Sequence, residues 1–225
     1  MSTMTPRQMK PVIPPARRSS AQTRDHILQV AGDLFYWEGI RATGIDRVAS
    51  QADVAPTTLY RLFASKDDLV AAYVEQCSMR YRALLSAASS PSAGTPRDRI
   101  LAVIGAFEDE VLSGACRGCP FLMVIAEFPD PQSAAHVNAV AHKAWLRDLF
   151  LGLVDELALS TGLSDSGPLA DRLMLVSEGI YGSVQSLGPT GPARQGRVIA
   201  ELLLDAWNEV PPSGSTNPNS ASGAT

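Results

Sequence analysis

Residues Thr43 to Lys66 read TGIDRVASQADVAPTTLYRLFASK. Ile45, Val48 and Ala49 recur at helical spacing behind Thr43, which can cap them, with Asp46 at the third helical position. Gln51, Ala52 and Asp53 end that helix, and Asp53 tolerates the left-handed backbone of a tight bend better than most residues other than Gly and Asn. Pro56 suits the first position of a second helix, where its missing N–H costs nothing. On that helix Leu59, Leu62 and Phe63 face inward, while Thr57, Thr58, Tyr60 and Arg61 face out, with hydroxyls and a guanidinium that can reach base edges or phosphates. Ser65 then caps a further helix, with Asp68 at its third position and Lys66 placed to meet a phosphate. This is the pattern of a helix-turn-helix that docks on DNA. Three packed helices of another all-α protein would have no need of Thr58, Tyr60 and Lys66.

Upstream, Ser19 and Gln22 form a capping box before a stripe of Ile27, Leu28, Ala31, Leu34 and Phe35 that stops at Gly39. This helix buttresses the helix-turn-helix; its His26 has no partner evident in the sequence and is expected at the surface. Downstream, a long helix runs from Ser65 through Val70, Tyr73, Val74, Cys77, Tyr81, Leu84 and Leu85, then stops in Ser89 to Gly94. It belongs to both parts of the chain, either carrying a tilt from one to the other or connecting them rigidly.

The register Arg24, Ile27, Ala31, Phe35, Gly39, Thr43, Ile45, Val48, Ala49, Val54, Thr58, Leu59, Tyr60, Phe63, Lys66, Leu69 resembles the N-terminal DNA-binding domain of the TetR family of repressors, from Arg24 to Val70. Asp53 and Ala55 depart from the Gly and Ser that the family commonly carries there, so the second helix lacks its usual hydroxyl cap. The resemblance implies an all-α protein with an N-terminal three-helix DNA-binding domain and a larger C-terminal helical domain for ligand binding and dimerisation. It implies a repressor released from a double-stranded DNA operator by a small-molecule effector. In that reading Thr43, Tyr60 and Lys66, helped by Arg47, hold the DNA backbone, and Pro56, Thr57, Thr58 and Arg61 face bases. The expected divisions are a disordered basic arm over 1–19, the DNA-binding domain over 20–66, the effector and dimerisation domain over 67–210, and a disordered tail over 211–225.

Charge is divided along the same line. Residues 1–66 hold nine Lys and Arg against five Asp and Glu, and residues 67–225 hold ten against eighteen, within a net charge of -4. Such asymmetry fits a module that approaches phosphates with one end. Met1 to Ser19 carries Pro6, Pro11, Pro14 and Pro15 with Arg7, Lys10, Arg17 and Arg18, either an arm along DNA or a solvated tail. No apolar run approaches the ~20 residues needed to span a bilayer and no signal-peptide core is present, so a cytoplasmic protein with no membrane partner is expected.

In the C-terminal part, Thr95, Pro96 and Asp98 start a helix through Leu101, Ile104, Phe107, Val111 and Leu112. In Cys116-Arg117-Gly118-Cys119-Pro120, Pro120 suits a first helical position with Cys119 at the cap, where the helix dipole and Arg117 would favour a thiolate. Cys119 is thus a candidate redox sensor or a small packed cysteine. Three cysteines, Cys77, Cys116 and Cys119, argue against a disulfide framework, and one C-x-x-C with only His136 and His142 downstream falls short of a zinc site, so neither metal nor cofactor is expected. Asp130 is expected to cap a long helix whose buried side carries Leu146, Leu149, Phe150, Leu153 and Leu157. His142 lies on that face and can join Phe107, Phe121, Met123, Phe128 and Trp145 in a ligand cavity or in a plain core. Two last helices, around Leu169 to Leu187 and Val198 to Trp207, are apolar over more than one stripe. With Gly179 and Gly182 they suggest a second buried surface, which the resemblance makes a homodimer four-helix bundle. An enzyme is disfavoured: there is no nucleophile elbow, H-E-x-x-H or phosphate-binding glycine loop. A helical ligand-binding protein with a degenerate DNA head is left open by Asp53 and Ala55.

Overall fold

The computed structural model describes residues 18–114, 116–161 and 165–208. The expected arm and C-terminal tail lie outside the described residues, apart from Arg18 and Ser19. Nine α-helices and two short 3-10 turns make up the described chain, with no strand among these residues.

Helix α1 (Ser20–Glu38) begins where the sequence says it should. The Ser19 hydroxyl accepts the Gln22 N–H at 3.2 Å, and the Gln22 side chain accepts the Ser19 N–H at 2.9 Å. It ends at Gly39, whose φ of 97° is costly for any residue with a Cβ. Helices α2 (Ile45–Gln51) and α3 (Pro56–Leu62) follow, joined by a bend in which Asp53 takes a φ of +53°, as expected. The cap of α2 is a correction. Gly44, not Thr43, is its N-cap, because Thr43 is fully buried and donates its hydroxyl to the Gly39 carbonyl at 2.8 Å. His26 is likewise engaged, its Nε2 lying 3.1 Å from the Ala52 carbonyl and tying α1 to the bend.

Helix α4 (Lys66–Ala88) starts on the Ser65 cap, and α5 (Pro96–Leu112) on a Thr95–Asp98 capping box. Helix α6 (Pro120–Glu127) is short, and α7 (Ala134–Thr161) is the longest. Asp130 does not cap α7. Its carboxylate accepts the Gln132 N–H at 2.9 Å in a local turn, and Ser133 caps instead by accepting the His136 N–H at 3.3 Å. Helices α8 (Gly167–Leu187) and α9 (Gly196–Asn208) complete the chain.

Ile27, Ala31, Phe35, Val48 and Leu59 close a small core that α4 continues with Leu69 and Val70. Beyond Tyr73, α4 packs on α7, which also meets α5, α6 and α8; α9 lies against α5 and α8. Phe150, Ile100, Ile104, Leu169, Leu173 and Leu204 are fully sealed there, each worth ~1.5–3 kcal/mol relative to exposure. Arg99 enters this core because its guanidinium has partners: Nε donates to the Ser89 carbonyl at 2.7 Å, and the fork meets Glu156.

Candidate nucleic-acid interface

On α3, Leu62 of the expected inward set is only half-buried, and of the outward set all but Thr58 are exposed. Leu59 is sealed and Phe63 is buried, while Pro56, Thr57, Tyr60 and Arg61 are exposed and Thr58 is half-buried. Tyr60 is 52% exposed, more than a tyrosine serving only a core would be. Ala55 caps the helix without a side-chain hydrogen bond, as the missing Ser implied, and its carbonyl accepts the Thr58 N–H at 2.9 Å and the Leu59 N–H at 3.3 Å instead.

The flanking basic groups are engaged in different ways. Lys66 lies close to the Arg41 carbonyl, Nζ to O 3.4 Å. Arg47 pairs with Glu38 at 2.6 Å, but both side chains are about half exposed, and such a pair holds little. Thr43 has no surface to offer. Arg41, which sequence reasoning passed over, is exposed beside this face and crosses to α6, stacking on Phe128 at 5.8 Å.

Two anchors join α1 and the following turn to α6. At one end the Tyr36 hydroxyl donates to the Gly118 carbonyl at 2.9 Å and accepts the Arg117 N–H at 2.6 Å, while Arg117 donates to the Tyr36 carbonyl at 2.7 Å. Gly118 makes this possible: its φ is 135°, and a Cβ there would lie 2.9 Å from the Gln185 amide oxygen. At the other end the Glu127 carboxylate accepts the N–H groups of Ile40 at 3.1 Å and Arg41 at 2.6 Å, and the Glu127 carbonyl accepts Arg41 Nε at 2.7 Å. Neither anchor was visible in the sequence, since each spans about 80 residues or more.

The expected ligand cavity is almost filled. Phe107, Phe121 and His142 do meet, with Tyr81, Cys119, Lys143, Ser177 and Tyr181, but around a hole of only about 10 Å³, room for a single water. Met123, Phe128 and Trp145 do not line it. Met123 lies near Gly118, Phe128 lies under Arg41, and Trp145 does meet His142, ring centroids 5.7 Å apart, but on the side where the Arg82 guanidinium covers it at 5.1 Å. His142 stacks on Phe121 at 3.7 Å and its Nδ1 is 3.1 Å from the Ser78 hydroxyl. Nearby, Glu110 accepts the hydroxyls of Tyr81 and Tyr181, whose burial raises both phenols well above their ordinary range. A larger cleft of about 460 Å³ lies elsewhere, between α1 and α4, bounded also by Glu110, Ser113 and Pro120.

Burial, with Lys143 and Arg82 nearby, lowers His142 from 6.5 to about 3. The folded protein therefore keeps this ring neutral, whereas the unfolded chain protonates it below ~6.5. Its contribution to stability is complete above that value and is lost as the pH falls towards 3, at up to ~1.4 kcal/mol per unit. Urea unfolding at about pH 7.5 and about pH 5 should show the wild type losing ~2 kcal/mol more than His142→Gln. Equal losses would mean that the ring is not held neutral.

Cys119 stands at the α6 cap as expected, but as the small packed cysteine rather than the redox sensor. The thiol is buried, burial raises its pKa despite Lys143, and Arg117 is committed to Tyr36. Among the described residues, no cluster of three or more His, Cys, Asp or Glu is placed to hold a metal ion. No helix among them is long and apolar enough to cross a membrane.

Residues 27–73 match the family model described as bacterial regulatory proteins, tetR family. Two curated relatives are similar over shorter spans. The HTH-type transcriptional repressor KstR2 of Mycolicibacterium smegmatis is 32% identical over 75 residues, covering 32% of this chain and 37% of that protein. The HTH-type transcriptional regulator TcmR of Streptomyces glaucescens is 28% identical over 102 residues, 44% of each chain. The chain thus spans less than half the length of these relatives. Among solved structures, SCO4454, a TetR-family transcriptional regulator from Streptomyces coelicolor, is 31% identical with a TM-score of 0.78, covering 84% of this chain and 97% of that one. A second, the TetR-type regulator sav143 of Streptomyces avermitilis, is 29% identical with a TM-score of 0.69 over 83% and 98%. With a helix-turn-helix whose polar face is open and a likeness that covers most of its length, the chain belongs to the TetR family of transcriptional regulators.

Proposed function

We propose that this regulator is a cytoplasmic, homodimeric repressor that binds a near-palindromic operator and is released by a small-molecule effector. The observation that carries the DNA-reading half is the exposed polar face of α3, backed by the sealed Leu59. Residues 20–66 serve as the DNA-reading part and 67–210 as the effector and dimerisation part. Pro56, Thr57, Thr58 and Arg61 face bases, and Tyr60 and Lys66 hold phosphates. Arg47 joins them by leaving Glu38, a pair weak enough for a phosphate to displace. Two copies would set their α3 helices in successive major grooves about 34–36 Å apart.

Dimerisation is supported by the apolar residues left uncovered on the last two helices. On α8, Leu175 is 70% exposed and Leu187 64%, with Gly179 and Gly182 giving a partner close access; on α9, Leu202 is 63% exposed beside Val198 and Ile199. Repression is favoured by the name of the relative KstR2, a repressor. Release requires an effector that prefers the arrangement with its two α3 helices set wrongly for the grooves, and the Tyr36 and Glu127 anchors supply a route from α6 to the head.

Titration of the promoter region flanking its own gene tests the assignment. Tyr60→Phe and Lys66→Ala should weaken binding on every sequence, by ~1 kcal/mol each, and Lys66→Ala should also flatten the salt dependence. Arg61→Ala should change base preference instead. Unchanged affinity in the first two variants would count against α3 as the reading helix, and would favour a helical ligand-binding protein with an inactive head.

A further inference from the structure

We propose that the cleft between α1 and α4 binds an organic cation, an amine or quaternary ammonium carried on an aromatic body. Its volume of about 460 Å³ falls within the range of small-molecule sites, whereas the hole beside His142 holds about 10 Å³. Its walls come from both parts of the molecule, with Asp33, Tyr36 and Trp37 on α1, Tyr73 and Arg80 on α4, and Glu110 on α5.

Charge decides the class of occupant. Two carboxylates face one guanidinium across the cleft, and a shallower groove sharing Arg80 adds Asp25. Asp33 makes no ion pair or hydrogen bond among the described residues. Arg80 is drawn towards Glu110, at 4.0 Å, and lies over the Tyr81 ring at 5.2 Å, which leaves Asp33 as the uncompensated charge. An anion would meet a net negative lining, while a cation would gain Asp33 and the Trp37 ring, which lines the cleft, is 52% exposed and packs nearly at right angles to Tyr36. An occupant touching α1 and α4 together would fix the angle between them. That regulatory consequence rests on the DNA-reading role proposed above, but the binding does not.

The probes are three naphthyl compounds of matched shape: naphthylmethylammonium, naphthylmethanol and naphthylacetate, titrated calorimetrically into the full chain without DNA. The cation should bind about tenfold tighter than the alcohol, and the acetate more weakly still. Asp33→Asn and Trp37→Ala, both at exposed positions, should each weaken the cation by about fivefold to tenfold. Arg80→Gln should tighten it, a gain that damage to the fold would not produce. Equal binding of the three probes, no binding of the cation at millimolar concentration, unchanged affinity in Asp33→Asn, or weaker binding in Arg80→Gln would overturn the proposal. Because no DNA is present, such a failure leaves the operator reading untouched, and loss of operator binding leaves this result standing.

Discussion

Replacing Leu202 with glutamate should leave a folded monomer. Leu202 is 63% exposed in the single chain, so the substitution costs the fold little. In a two-fold dimer formed through α8 and α9, each substitution occurs twice and sets two carboxylates in an apolar seam. Burying them there should cost at least ~3 kcal/mol per dimer, more than a hundredfold in the dimer constant. Light scattering at micromolar concentration should show the wild type as a dimer and the variant as a monomer, with operator affinity falling because each copy then holds one half-site alone. A wild type that is monomeric, or a variant that stays dimeric, would remove α8 and α9 from the assembly.

The second large effect is expected at Glu127. Its carboxylate holds two backbone N–H groups in the turn after α1, at 3.1 and 2.6 Å. Hydrogen bonds to a charged acceptor contribute ~1.5–3 kcal/mol each, and Glu127→Ala leaves both N–H groups, Ile40's part-buried and Arg41's exposed, to water. Amide exchange at Ile40 and Arg41 should accelerate by about a hundredfold, a loosening of ~3 kcal/mol, while Glu127→Gln keeps part of the protection. Unchanged exchange at both amides would show that Glu127 does not grip the head, leaving the Tyr36 anchor and α4 as the connections between the two parts.

Local chemistry made much of this fold legible. The Ser19–Gln22 box, Pro56 at a helix start, the left-handed Asp53 and the Thr95–Asp98 box are all set by residues within a few positions of one another, and all stand where the sequence puts them. Reading failed where two local solutions compete. Thr43 can cap α2, but it is buried and bonds to Gly39; Asp130 can cap α7, but it closes its own turn and leaves the cap to Ser133. It failed again where partners are distant. Helical spacing places His142 on the buried face but does not show that Phe121 lies flat against it and fills the space, or that Trp145 turns towards Arg82. The cleft beside Asp33 and Trp37 is walled by α1, α4 and α5 together, which no stretch of any one helix encodes.

The central claim is that the outward side of α3 reads duplex DNA. Fluorescence anisotropy with a labelled duplex from the promoter of its own gene, against a shuffled duplex of the same composition, tests it most directly when run on the wild type and on the combined Thr57→Ala, Tyr60→Ala, Arg61→Ala variant. All three sites lie outside the buried core, so the variant keeps its fold. The wild type should prefer the promoter duplex by at least about a thousandfold, and the variant should lose that preference while binding both duplexes weakly. A wild type that binds the two duplexes alike, or a variant that discriminates as well as the wild type, would contradict the account.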